Sequence, residues 1–121
     1  DIGEGEGEAN GMVYEWIVDA AGQQRLGFLA YSGDPGRDSV FIDKLYLLPE
    51  CHGRGIGQQA LDRVASVGAG QGAGSLSLRV NRRNARAIRA YERNGFATVG
   101  ELCVDIGGGF KMDDFWMVKT L

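Results

Sequence analysis

Apolar and polar side chains change their period several times along this chain. Over Ser75 to Val80, Leu76, Leu78 and Val80 alternate with Ser75, Ser77 and Arg79, the twofold period of a strand. Met12–Asp19 (MVYEWIVD), Arg25–Ser32 (RLGFLAYS) and Ser39–Leu48 (SVFIDKLYLL) are rich in β-branched and aromatic residues and predict three more strands. Gly22 marks a turn over Ala20–Gln24 that makes the first two a hairpin. Asp34-Pro35-Gly36 marks the loop over Ser32–Asp38, and Pro49 stops the third strand.

Between Ile56 and Val67 the period lengthens. Ile56, Ala60, Leu61, Val64 and Val67 keep to one helical face. The glycine-rich run Gly68–Gly74 ends that helix and predicts a flexible connection. A second helix starts at Asn84, whose side-chain oxygen suits an N-cap, and runs to about Arg93, with Ala87, Ile88 and Tyr91 on one face. Asn94-Gly95 is its stop. Ala97–Asp105 and Lys111–Lys119 are strands joined through Gly107-Gly108-Gly109. The order is β-β-β-α-β-α-β-β, a mixed α/β arrangement without internal repeats. Asp1–Asn10 (DIGEGEGEAN) has one apolar side chain larger than alanine among alternating Gly and Glu. It predicts a disordered tail over residues 1–11 and a folded domain over 12–121.

The length of 121 residues suits one domain. A formal net charge of -3 argues against nonspecific nucleic-acid binding, which rests on Lys and Arg at phosphates. No apolar run approaches the roughly 20 residues a membrane helix needs, and nothing resembles a signal peptide. Cys51 and Cys103 form no spaced framework and are read as reduced thiols, which points to the cytoplasm. His52 is the one histidine, so no histidine-based metal site is expected.

Glycines also concentrate in Cys51-His52-Gly53-Arg54-Gly55-Ile56-Gly57, between a strand and a helix. Helix N-termini carry unpaired N–H groups and a partial positive charge, and glycines let the backbone approach a phosphate. Arg54 adds a bidentate phosphate donor. A pyrophosphate is the natural ligand. The plain alternative is a glycine-rich turn. Two nucleotide-binding rivals fit poorly. A P-loop needs Gly-Lys-Ser/Thr, whereas Gly57 is followed by Gln58 and Gln59. A dinucleotide fold needs an acid about 20 positions on, and Ser75–Asn81 holds none.

A second motif lies about thirty residues further on: Asn84-x-x-Ala87-x-x-x-Tyr91-x-x-x-Gly95-Phe96. The two motifs together, in this order, resemble the GNAT superfamily of N-acetyltransferases. Those enzymes carry Gln/Arg-x-x-Gly-x-Gly/Ala at the helix that binds the coenzyme A pyrophosphate, matched here by His52-x-x-Gly55-x-Gly57. Lys44–Pro49 (KLYLLP) and the closing segment from Gly107 also look like this family, so the resemblance spans roughly residues 12 to 121.

The resemblance implies a twisted mixed sheet with a central β-α-β-α unit and flanking hairpins. Its two central strands, here Ser39–Leu48 and Ser75–Val80, splay to admit acetyl-CoA as co-substrate. The pantetheine would pair with backbone groups near Leu47. The pyrophosphate would sit on N–H groups of Gly53, Arg54, Gly55, Ile56, Gly57 and Gln58, with His52 in place of the usual Gln or Arg. Asn84 is read as helix cap and cofactor contact, beside Ala87. Tyr91 matches the tyrosine that protonates the departing thiolate.

For the general base, Asp43 is the first candidate and Glu15 the second; both also read as surface carboxylates, and a water chain is the alternative. Arg79 stands where some protein N-terminal acetyltransferases carry a glutamate, which argues against that subgroup. Asp105, Asp113 and Asp114 near the last hairpin either attract a cationic amine or form a solvated turn. Cys51 lacks a base partner and is read as structural.

The strand and helices with which the family usually begins are not found before Met12. The expectation is either a fragment or a site that another subunit completes; the missing cover would leave apolar sheet edge and face exposed, which favours a homodimer. The expected acceptor is a small primary amine, with a protein lysine or N-terminus second. The competing reading is a degenerate domain that holds acyl-CoA without turnover.

Overall fold

A computed structural model of the chain describes residues 2–9, 12–33 and 38–121. Seven strands form one sheet: β1 (Ile2–Ala9), β2 (Met12–Val18), β3 (Arg25–Gly33), β4 (Ser39–Leu47), β5 (Ser75–Asn81), β6 (Ala97–Gly107) and β7 (Phe110–Thr120). Helices α1 (Ile56–Gly70) and α2 (Ala85–Asn94) flank β5 in sequence. The spatial order is β1-β2-β3-β4-β5-β7-β6. Neighbours are antiparallel except β4 and β5, which are parallel and joined by the α1 crossover.

The residues read as a disordered tail differ from that expectation. Ile2–Ala9 pairs antiparallel with β2, from Ile2↔Ile17 to Ala9↔Met12, with two register irregularities. A strand edge presents unpaired N–H and C=O groups to any backbone, whatever its side chains, so pairing does not require an apolar pattern. The Asp34-Pro35-Gly36 turn lies outside the described residues.

The glycine-rich run after α1 also differs from its reading as a flexible connection. The helix continues through Gly68 to Gly70. A Cβ on Gly68 would meet Leu121, Val40 and Leu76 side chains at 3.3–3.5 Å, so the glycine lets the last turn lie close against the sheet. Ala73 N–H then bonds Gly68 O at 2.9 Å, closing the helix end.

Alternation along the strands sorts the sheet into two faces. Ile17, Leu29, Tyr31, Val40, Ile42, Leu76 and Leu78 are buried against Ala60, Leu61 and Val64 of α1. Ala87, Ile88 and Tyr91 of α2 pack on the same core. The opposite face is aromatic. Trp16 meets Phe28 edge-on at 6.3 Å, Phe28 lies 5.8 Å from Tyr46, and Arg25 covers Trp16. Arg79 sits 5.8 Å from Phe41 and 5.7 Å from Trp116. Among the described residues no helix covers this face.

Two details shape the edge where a ligand can enter. The β4–β5 ladder runs from Ser39↔Ser75 to Ile42↔Leu78 and goes no further. Asp43 follows as an extra residue, because β3 and β4 shift register between Ala30↔Lys44 and Tyr31↔Ile42. A bulge of this kind bends the strand and increases its twist, turning the rest of β4 away from β5. At the far end Gly27 pairs with Leu47, and a Cβ on Gly27 would run into the Tyr46 carbonyl, so β3 holds this part of β4 through a glycine-only approach.

Candidate active site

A groove of about 560 Å³ opens where β4 and β5 part. Leu45, Tyr46 and Leu47 form one wall, residues between Cys51 and Gln58 another, and Asn84 at the cap of α2 with Ala87 and Tyr91 a third. Leu48 N–H bonds Leu26 O across the ladder at 2.8 Å. By antiparallel alternation, the main-chain groups of Leu45 and Leu47 then point away from β3, towards the gap. The Leu47 carbonyl accepts from His52 Nε2 at 3.3 Å.

The floor is the start of α1. Gly55 caps it in the left-handed region at φ 79°, Gly53 shares that value, and no side chain caps the helix. Its first turn carries no acidic residue. The opening N–H groups are therefore free of side-chain acceptors, and the positive end of the helix is unneutralised. A Cβ on Gly57 would touch only Leu47 Cδ1, at 3.6 Å.

Opposite, α2 is framed at both ends by local chemistry. Asn84 Oδ1 accepts from Ala87 N–H at 3.2 Å, as an N-cap should. At the other end Gly95 takes φ 105°, its N–H bonds Glu92 O, and Phe96 N–H bonds Tyr91 O, both at 3.0 Å. This paired closure brings the residue after the glycine onto the last helical turn. The Phe96 ring accordingly packs edge-on against Tyr91 at 5.8 Å. Tyr91 is thus held by its own carbonyl and by its ring, with its side chain in the groove wall. Burial pushes its hydroxyl pKa up, so it stays protonated through neutral pH.

The groove brings together Leu47, His52, Gly53, Gly55, Gly57, Gln58, Asn84, Ala87 and Tyr91 from the sequence reading. Arg54 is exposed beside it and does not line it, and Ile56 packs onto the core. Asp43 is not brought there: it is the exposed bulge residue on β4. Nor is Glu15, a buried carboxylate gripped by Arg63 through Nε at 3.1 Å and Nη2 at 2.9 Å. Among the hairpin acids, Asp113 pairs with Arg82 at 3.0 Å and Asp105 accepts from Gly107 N–H. Cys51 is a buried free thiol in the groove wall, and Cys103 is exposed.

Sequence reasoning missed Arg86 and Arg93, which line the α2 wall. Their seven-residue spacing puts both on the helical face that carries Ala90, a signal the sequence did contain. Among the described residues no cluster of His, Cys, Asp or Glu suits a metal ion, and no helix is long and apolar enough to cross a membrane.

The sequence profile described as "Acetyltransferase (GNAT) family" matches residues 6–96. The chain belongs to the GNAT acetyltransferase family. It is similar to an uncharacterized N-acetyltransferase of Mycobacterium tuberculosis, at 37% identity over 82 residues, which are 68% of this chain and 52% of the relative. It also resembles the streptothricin acetyltransferase of Streptomyces lavendulae, at 38% identity over 85 residues, 70% of this chain and 45% of the relative. The chain thus spans about half the length of these relatives. In fold it matches the crystal structure of the PaiA N-acetyltransferase from Thermoplasma acidophilum in complex with coenzyme A, with a TM-score of 0.73 and 23% identity over 91% of this chain and 61% of that one. The parted β4–β5 pair of this GNAT domain is the splayed pair that its sequence motifs imply.

Proposed function

We propose that this GNAT domain transfers an acetyl group from acetyl-CoA to a primary amine by direct attack in a ternary complex. The observation that carries the reading is the placement of an uncapped, glycine-edged helix N-terminus and Tyr91 on facing walls of one groove. The donor set suits a pyrophosphate. It offers free N–H groups from Gly53 to Gln58, no neighbouring acid in the first turn of α1, and the Arg86 and Arg93 guanidiniums across the gap. The gap-facing main chain of Leu45 and Leu47 suits an amide-bearing pantetheine lying as an added strand.

Acetyl-CoA supplies the activated acyl group. As the amine nitrogen bonds to the acyl carbon and the carbon–sulfur bond breaks, the Tyr91 hydroxyl gives its proton to the sulfur and is reprotonated from water. Its raised pKa keeps the proton available. Asp43 receives no role, because it stands outside the groove. The described lining residues include no carboxylate, so the amine's proton leaves through water. The acceptor class is a small amine. Support for this comes from the streptothricin acetyltransferase to which the chain is similar.

The second reading, acyl-CoA binding without turnover, is favoured by the uncovered aromatic face beside the groove, where Tyr46 is 48% exposed and no described element encloses an acceptor. The same face makes a homodimer the expected assembly. Calorimetric titration with acetyl-CoA, with ATP and NAD as controls, tests the shared premise. Saturable one-site binding of acetyl-CoA alone is expected, and its absence in folded protein overturns both readings. A turnover assay across amine acceptors then separates them.

A further inference from the structure

Asn94 does not line the groove, yet it is the junction between the two helices that do. Its Nδ2 donates to Gln58 Oε1 at 2.9 Å and to Asp62 Oδ1 at 3.0 Å, both on α1. Its Oδ1 accepts from Lys119 Nζ of β7 at 2.7 Å. Gln58 completes the circuit by donating Nε2 to Ala90 O of α2 at 2.8 Å. One carboxamide thereby ties two successive turns of α1 to the end of α2 and to the sheet. Its orientation is fixed, since only the oxygen can face the ammonium and only the nitrogen can face the carboxylate.

The groove's walls depend on this junction. Gly55, Gly57 and Gln58 belong to the start of α1, and Ala87, Ala90 and Tyr91 to the facing side of α2. Gln58 and Asp62 are four residues apart, so Asn94 grips α1 at two points along one face and fixes its rotation as well as its distance. α2 carries no fully buried side chain of its own, which leaves apolar packing with less hold on its position than it has on α1.

We propose that Asn94 is a positioning residue of the transferase site. Acting through Gln58, it sets the separation and rotation of the phosphate-loop helix relative to the Tyr91 helix. The cofactor consequence rests on the function proposed above; the mechanical part does not. Asn94→Leu removes all three bonds while keeping comparable bulk, and Gln58→Leu removes one of the two grips on α1, with the bond to Ala90 O, while leaving the main-chain N–H of residue 58 in place.

Two readouts test the proposal. Hydrogen–deuterium exchange without ligand is expected to show faster exchange over residues 59–62, the first α1 amides with helical partners, in both variants. Calorimetry is expected to show acetyl-CoA affinity weakened about tenfold in each, with the double variant no weaker than either single, as members of one network behave. If either single variant shows wild-type exchange at the start of α1, or wild-type affinity, the positioning role is overturned. Independent, additive losses overturn it as well. If Asn94→Leu does not fold, Gln58→Leu and Lys119→Met carry the same comparison from the two ends of the junction. Failure of the wild-type protein to bind acetyl-CoA defeats the functional reading instead, and the exchange measurement still decides the mechanical one.

Discussion

Arg63 holds the buried carboxylate of Glu15 with two hydrogen bonds, at 3.1 and 2.9 Å, and so pins the middle of α1 to β2. Glu15 is 4% exposed, whereas the Arg63 side chain is 42% exposed and keeps some of its hydration. Removing the guanidinium strands a buried charge. Arg63→Met is expected to destabilise the fold by about 2–3 kcal/mol, below the roughly 3–5 kcal/mol for breaking a fully buried pair because one partner is half in water. Replacing both partners in Glu15→Leu/Arg63→Met should recover most of that loss. Urea unfolding of the single and double variants measures it, and a double variant as unstable as the single would show that the pair is not the cause.

Tyr31 is buried near Glu15, and burial followed by the Glu15 charge pushes its pKa up to about 12. An unfolded tyrosine loses its proton near about 10. Above pH 10 the folded protein therefore still holds a proton that the unfolded chain releases. The Tyr31 contribution is complete below pH 10 and is lost as pH rises to about 12. Stability measured between pH 9 and 11.5 should fall along this window. Tyr31→Phe should flatten the slope, leaving a smaller one from Tyr91, whose pKa is raised in the same direction.

The parts of this site that the sequence revealed are those built by local rules. Asn84, Tyr91 and Gly95 were readable because a cap, a helical face and a left-handed stop are each defined within a few residues. The parts that stayed hidden are tertiary. Asp43 reads as a carboxylate on the splayed strand, and only the shift between Ala30 and Tyr31 in the β3–β4 register shows it to be a bulge residue. Glu15 carried a usable hint: it shares a strand face with Ile17, so alternation places it on the core side, where a carboxylate needs a partner. Nothing local marks that partner, which lies 48 residues away on α1. Asn94 was readable as a helix stop, while its grip on Gln58 depends on how two helices cross. β1 escaped because edge pairing draws on main-chain groups that no hydrophobic pattern records.

Gly57 separates folding from ligand binding. A Cβ there meets only Leu47 Cδ1, at ordinary contact distance, and the residue lies in the first turn of a helix with negative φ. Gly57→Ala should therefore leave the melting temperature unchanged or raise it, since alanine is favoured over glycine in helices by about 1 kcal/mol. Acetyl-CoA affinity should be kept in Gly57→Ala, since the family pattern admits alanine at this position, and should fall about tenfold or more in Gly57→Leu, whose longer side chain stands where a phosphate must approach the N–H groups. Full affinity in a folded Gly57→Leu protein would move the phosphate away from the start of α1.

Tyr91 offers the sharpest test of chemistry, because its ring and its hydroxyl have separable tasks. The ring packs edge-on against Phe96, and the main-chain carbonyl closes the end of α2; Tyr91→Phe keeps both. Stability should stay within about 1 kcal/mol of wild type, and the KM for acetyl-CoA within about twofold, since the lost atom contributes little to a backbone-bound cofactor. The proton donor is gone, so kcat should fall about a hundredfold, the lower bound for general acid catalysis by a positioned group. Because burial raises the hydroxyl pKa, the wild-type rate should show no falling limb from this group below about pH 10. A pre-steady-state comparison of the two proteins reads the chemical step directly. An unchanged rate in Tyr91→Phe would leave Tyr91 as a packing residue and pass protonation of the sulfur to water in the groove.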